Sequence, residues 1–414
     1  MDLATLNAAV KNSAAIRLRR RLQPAGGAGD KVFPPTYEGA TYAEEQRVID
    51  GQRVPCVLLD SVQSQANRME LALLAAHRAG KITIPVVGVT FPPFPKEANG
   101  EESKLGTVGT ITSLEAPHRL ADAILRDSLN DGVKFRESAA GKCLDNASTT
   151  DATDLYRLCP TALVMGVWDS TGPRGGMGAK FQRALVGELV GVDAQTGAKP
   201  ASRLDPLGIQ LAAGPLFAAK DGGWTIDEKE AKMEKGKPIK LGKEGKPSEA
   251  NHGNVTPSLA NEKGQPHHGG ITMAYAQQSV VISLPALRRL SFPLKGKSDA
   301  DLAARTVLAA LGLCGAVLSV DLGCDLRSRC LLIPDTAHPS SWEIVGADGK
   351  LSSFTLTGEQ ACELLKEAVK AAAVVGLTWT AKDKENGLTL QPSPGLLALV
   401  KKSRELALTP AGEE

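Results

Sequence analysis

The chain has no long hydrophobic run, no excess of one charge, few aromatic rings and none of the short spacings that hold metals. Its longest uncharged apolar stretch, Thr306 to Val320, is too short to span a bilayer and reads as a buried helix, so no membrane partner is implied. Basic and acidic side chains number 48 and 46, a net charge of +2, so any anion-binding surface must come from local sorting of charge. Aromatics are only 4%, which disfavours a protein that reads bases mainly by stacking. The seven cysteines form no C-x-x-C pair, the usage of reduced thiols in a cytoplasm, and no apolar signal segment marks the N-terminus.

Enzyme signatures are missing as well. The six histidines form neither H-x-x-x-H nor H-x-H, and there is no G-x-S-x-G elbow. Ser291 to Ser298 ends in Gly-Lys-Ser but lacks the first glycine of a phosphate loop, and Pro293 removes a needed amide. The glycines at 172, 175, 176 and 178 do not space as a dinucleotide fingerprint and read as a mobile loop. No cofactor and no catalytic residue follow.

What is present is a loop-rich globular chain of 414 residues, with 42 glycines and 25 prolines. Residues 15–23 alternate as a half-buried strand: Ile16, Leu18 and Leu22 point one way, Arg17, Arg19 and Arg21 the other, and only Arg20 breaks the pattern. Val57-Leu58-Leu59 leads into a helix with Asp60 as N-cap and Gln63 behind it, and Val62, Ala66, Met69 and Leu73 as its apolar stripe. Gln63, Asn67, Arg68 and Glu70 fall away from that stripe. Ile82 to Val89 reads as a strand, Phe91 to Tyr156 as a turn-rich insertion or subdomain with one short helix opened by Pro117, and Phe181 to Val192 as a strand broken by Gly187 and Gly191. Asp227 to Glu249, with seven lysines and six acidic residues, lacks the apolar content to order itself without a partner. Strand character resumes at 269–292. Helices follow at Asp301 to Val320, from the Thr357 cap with Gln360 to Val375, and from Pro394 to Leu406. This order favours an α+β fold.

The chemistry with most support in these residues is a grip on phosphate. Arg17, Arg19 and Arg21, Arg203 in a Ser-Arg-Leu-Asp-Pro turn, Arg288 with Arg289, and Arg327 with Arg329 supply guanidinium forks. Each also fits an ordinary polar face with acidic partners. His267 and His268 read as a loop contact to an anion or base, or as a solvated pair. A backbone-gripping, sequence-indifferent binder fits best.

Eight strings then carry a resemblance: Phe33-Pro-Pro-Thr-Tyr37, Asp60-Ser-Val-Gln-Ser-Gln-Ala-Asn-Arg-Met-Glu70, His118-Arg119 with Asp122-Ala123, Gly166-Val-Trp-Asp-Ser170, Lys180-Phe-Gln-Arg183, Ser202-Arg-Leu-Asp-Pro206, His252-Gly-Asn254 and Leu326-Arg-Ser-Arg-Cys330. In this order they resemble the backbone subunit of the CRISPR-Cas type I-G (formerly I-U) Cascade effector, of the RAMP superfamily. The resemblance implies a modified RRM or ferredoxin-like palm in two parts (1–90 and 269–340). A finger-like insertion with a return strand (91–200), a thumb-like or target-facing insertion (201–268) and a helical C-terminal region (341–414) complete it. It implies copies lined along a CRISPR RNA that pairs with target DNA, beside a repeat-processing subunit, a large subunit and a recruited helicase-nuclease. On the matching strings, Gln63, Asn67, Arg68 and Arg119 could grip RNA, and Lys180, Arg183 and Arg203 could contact phosphate. Trp168 is a wedge or stacking platform, or a buried core ring, with the core placement favoured for a single tryptophan.

Two other readings stay open. A RAMP-type endoribonuclease would use a loop aspartate, with Asp145, Asp151, Asp154 and Asp169 as candidates. A metal-dependent hydrolase would be built on His267, His268 and nearby acids.

Overall fold

A computed structural model of the chain describes residues 1–96, 100–170, 180–259, 268–379 and 387–408. Numbering the main elements along the chain, α1 (Leu3–Asn12) is capped by the Asp2 carboxylate, which accepts from the Thr5 amide at 2.8 Å. The arginine-bearing segment follows without a break as β1 (Ser13–Pro24). Ile16, Leu18 and Leu22 are buried and Arg17, Arg19 and Arg21 lie on the opposite face, as the alternation requires. Arg20 stays on the buried face at 8% exposure, where its Nε donates to Gln278 Oε1 at 2.5 Å.

Next come β2 (Glu44–Ile49) and β3 (Gln52–Asp60), a hairpin turned at Asp50-Gly51, both with positive φ. An Asp-Gly pair is the residue choice for such a two-residue turn. After α2 (Val62–Arg78), β4 (Leu185–Val192) and β5 (Tyr275–Ser283), the long core helix α3 (Ala300–Asp321) leads to β6 (Leu331–Pro334), β7 (Trp342–Gly346) and β8 (Leu351–Phe354). The main sheet runs β2-β3-β4-β5-β1-β6, ends with Cys324–Asp325, and is antiparallel throughout. β1 carries two partners on one edge: its end at 22–24 pairs with β6, its start with β7, which pairs in turn with β8.

Helices α2 and α3 cover one face of this sheet, and Met69, Leu73, Val307 and Leu311 join Ile16, Leu185, Val280 and Ile282 in one core. Gly187 of β4 lies under α2, where a Cβ would stand 2.9 Å from Met69 Cε, so a glycine expected to break the strand instead allows close packing on it. Among the described residues α3 is the one helix long and apolar enough to cross a membrane, but 72% of its apolar window is buried inside the protein. The capping box predicted at Thr357 and Gln360 opens α4 (Gly358–Val374), and α5 (Pro394–Leu408) ends the described chain.

The segment after Phe91, read as an insertion or subdomain, packs into the main core: Phe91, Leu120, Phe135, Leu155, Tyr156 and Leu163 join α2 and α3 there. Two expectations need correction. The C-terminal region is not only helical, because Gly387–Pro392 pairs in parallel with Val86–Thr90 and adds a strand to a second, five-stranded sheet. And 227–249 is folded. Short antiparallel ladders at 217–225 and 233–238, cross-bonded between Ala218 and Ile239, close over buried Phe217 and Ala231. Backbone bonds supply the order that side-chain composition alone does not.

Candidate nucleic-acid interface

Asp60 ends β3 and organises one end of the sheet. It is not the N-cap expected from sequence, because Ser61 takes that place, its hydroxyl accepting from the Ser64 amide at 3.2 Å. Asp60, 1% exposed, points inward. Its Oδ2 accepts from Gln65 Nε2 at 2.6 Å and Arg68 Nε at 2.9 Å, and its Oδ1 from Arg327 Nη2 at 3.2 Å. Arg68 also donates to the Leu326 carbonyl at 2.9 Å. From Gln65 the bonds continue to Gln278 at 2.7 Å and so to Arg20. A buried carboxylate needs such donors to offset its desolvation, and here they tie β1, β3, β5, α2 and the 326–330 loop together. Phe33 joins the same place: its amide donates to the Arg329 carbonyl at 2.9 Å, and the Arg329 guanidinium lies 4.1 Å over its ring. Around this knot Gln63, Asn67 and Arg329 are exposed, whereas Arg68 and Arg327 are half-buried in their pairing with Asp60.

On the sheet face away from α2 and α3, the three alternating arginines of β1 differ in engagement. Arg17 pairs with Glu343 at 2.6 Å. Arg21 sits 4.1 Å over the Tyr275 ring, with Nη1 3.4 Å from His338 Nε2. Arg19 is exposed and has no hydrogen-bond or ion-pair partner among the described residues. Opposite them in register stand Val281, Ser279 and Gln277 of β5, so polar side chains flank Arg19 and Arg21 while Arg17 stands beside an apolar one.

A third group lies at the ends of the glycine-rich segment 171–179, which falls outside the described residues. Val167–Trp168 pairs antiparallel with Lys180–Phe181, and Lys180 Nζ lies 5.1 Å over the Trp168 ring. Trp168 is 56% exposed, so the core placement favoured for it is wrong. Behind it Arg119 is buried, its Nε and Nη2 on the two oxygens of Glu70 at 2.6 and 2.7 Å and its Nη1 on the Gly166 carbonyl at 3.2 Å. That corrects two expectations: Arg119 is no surface contact, and Glu70 does not face solvent. Burial pushes the Glu70 carboxyl above its ordinary value, and Arg119 offsets part of that. Arg183 is half-buried beside the pair, where burial and then the Arg119 charge lower its guanidinium below the usual value. Next to Lys180 a cavity of about 310 Å³ is lined by Phe181, Gln182 and Arg289 among others.

Two other predicted contacts are internal. Arg203 donates to the carbonyls of Gly253 at 3.0 Å and His252 at 2.7 Å, while Asp205 accepts from the Gly253 amide at 2.5 Å, closing the 202–206 string onto 252–254. Arg288 donates to the carbonyls of Val10 at 2.8 Å and Ser13 at 2.9 Å, at the C-terminal end of α1. Both guanidiniums hold the fold together through backbone carbonyls. His267 lies outside the described residues, and the ring of half-buried His268 stands 5.2 Å from that of Tyr42. Of the candidate aspartates, Asp145 and Asp169 both accept from Arg136 Nη2. Asp151 accepts from the Thr153 amide at 3.1 Å, and Asp154 pairs with Arg157 at 3.5 Å. Among the described residues no three His, Cys, Asp or Glu side chains converge to hold a metal ion.

The sequence strings therefore work in sets. Those at 33–37, 60–70 and 326–330 meet at Asp60, those at 118–123, 166–170 and 180–183 meet behind Trp168, and those at 202–206 and 252–254 close on each other. Missed from sequence were Tyr275 under Arg21, Phe33 under Arg329, and the Gln65–Gln278 relay. Only the period-2 placement of Gln277 and Tyr275 on the arginine face was there to find. Residues 16–196, from β1 through β4, match the family model described as CRISPR-associated protein GSU0053. No curated protein matches the chain.

Proposed function

We propose that this chain is the RNA-binding backbone subunit of a type I-G Cascade effector, lined up in several copies along the guide. The observation that carries the reading is the guanidinium row of β1 on a sheet face that α2 and α3 leave open, with Arg19 unengaged among the described residues. The order β6-β1-β5-β4, with α2 between β1 and β4 and α3 between β5 and β6, supports a ferredoxin-like palm, because the β-α-β-β-α-β motif places its strands that way. The Trp168–Lys180 lip and the cavity beside it offer a ring and two cations to a nucleotide. Leu204 and Leu207, open to solvent in the 201–259 insertion, suit a thumb that wedges bases apart or meets a neighbouring copy. Specificity then comes from pairing between guide and target DNA, and the protein supplies backbone contacts in the cytoplasm. The repeat-processing subunit, the large subunit and the helicase-nuclease are its partners in this reading.

In this reading the subunit binds and does not cut: of the four candidate aspartates, Asp145 and Asp169 share Arg136, while Asp151 and Asp154 are exposed, so the cleavage assay below separates the two readings. The test is purification at low salt followed by sequencing of bound RNA. Short repeat-spacer RNAs are expected. Protein free of nucleic acid that also fails to bind an added repeat-derived RNA would sink the reading, and regularly spaced cuts in complementary RNA with divalent metal would replace it with the nuclease.

A further inference from the structure

Helices α3 and α4 pack together away from the sheet face that carries the arginine row, and between them stand two buried thiols. Cys314 of α3 donates its S–H to the sulfur of Cys362 of α4 at 4.0 Å. A disulfide needs about 2.05 Å between sulfurs, so bonding requires the two sulfurs to close by about 2 Å. Cys314 is closed off from solvent. Cys362 instead lines a cavity of about 840 Å³, together with Ala72, Ala76 and Leu318 and the charged side chains Lys81, Lys366, Asp321, Glu359 and Glu363.

The seven thiols divide sharply. Burial raises Cys56, Cys143, Cys159, Cys324 and Cys330, Cys143 to about 12 and Cys330 to about 11. Cys362 alone is lowered, to about 7: the Cys314 hydrogen bond is the main cause, burial opposes it, the Lys366 and Lys81 charges assist, and the Asp321 charge opposes them. Cys314 is raised, first by that same bond and then by burial, and so keeps its proton. A thiolate reached from a cavity, with a protonated thiol behind it, is the arrangement of an attacking and a resolving cysteine.

We propose that Cys314 and Cys362 are a redox-active dithiol that takes a low-molecular-weight disulfide, of the glutathione type, as its oxidant. The Cys362 thiolate attacks one sulfur of the small disulfide, forming a mixed disulfide and releasing one small thiolate, which takes a proton from water. Cys314 then attacks Cys362 Sγ, its proton passing to the second small thiolate as that leaves. Two protein thiols are oxidised and one small disulfide is reduced to two thiols. The product bond fastens α4 to α3.

The experiment uses the full chain, reduced, desalted, and incubated with oxidised glutathione near neutral pH. Denaturing alkylation and peptide mass spectrometry follow. The expected product is a Cys314–Cys362 linked peptide with the other five cysteines alkylated. Cys314→Ser should stop at a stable glutathione adduct on Cys362. Alkylation at all seven cysteines, a bond between other cysteines, or no adduct in Cys314→Ser would overturn the proposal. A second measurement needs no variant: with limiting iodoacetamide on native protein, Cys362 should be modified first, its rate half-maximal near pH 7. Modification of Cys362 no faster than the other six refutes the assignment.

Discussion

Replacing Asp60 with alanine tests whether one carboxylate holds the 326–330 loop to α2. The substitution strands three donors. Gln65 is buried and has no water to turn to, so losing its acceptor costs about 1–3 kcal/mol. Arg68 and Arg327, at 36% and 27% exposure, can swing toward solvent, so each adds only about 0–1 kcal/mol. The total expected is about 1–5 kcal/mol, read as a lower urea midpoint at unchanged slope. Asp60→Asn keeps the volume and one acceptor oxygen and should lose less than half as much. Hydrogen exchange should rise selectively at Leu326 to Cys330, where Arg68 and Arg327 no longer anchor the turn. An alanine variant within about 0.5 kcal/mol of wild type, or one with unchanged exchange at 326–330, would refute the account.

Arg19→Ala should change folding stability by less than about 0.5 kcal/mol, since the side chain is exposed, yet lower the salt slope of single-stranded RNA binding by about 0.7 if it meets a phosphate. An unchanged slope in fluorescence anisotropy removes Arg19 from the interface. Trp168→Ala should weaken RNA binding by about 1–3 kcal/mol with the thermal midpoint preserved, because the ring is exposed over Lys180. Loss of stability with intact binding would make it a packing residue. Arg119→Ala leaves Glu70 buried without its partner and should cost about 3–5 kcal/mol, seen as a large drop in urea midpoint or failure to fold. Near-wild-type stability would show that water reaches Glu70.

Part of the fold is legible in the residues alone. The Thr357–Gln360 box and the late helices read to within a few residues because capping and apolar periodicity are local. The alternation in β1 yields the arginine face for the same reason. Asp60 misleads because Asp and Ser are both good caps, and choosing between adjacent residues needs a partner that comes from 267 residues away. The 227–249 segment misleads because composition weighs side chains, whereas its order rests on backbone ladders with little apolar area behind them.

Sequence by itself determined the α+β character, the helices of the C-terminal half, the guanidinium row, and the strings that resemble a CRISPR effector subunit. These depend on period, capping and residue identity, which act over a few positions. Tertiary structure decided which arginines remain available. Arg119, Arg203 and Arg288 carry the same charge as Arg19, but buried Glu70 and stranded backbone carbonyls claim them. A guanidinium is committed by whatever acceptor the fold leaves without water, and that acceptor is set by long-range packing that no local pattern records.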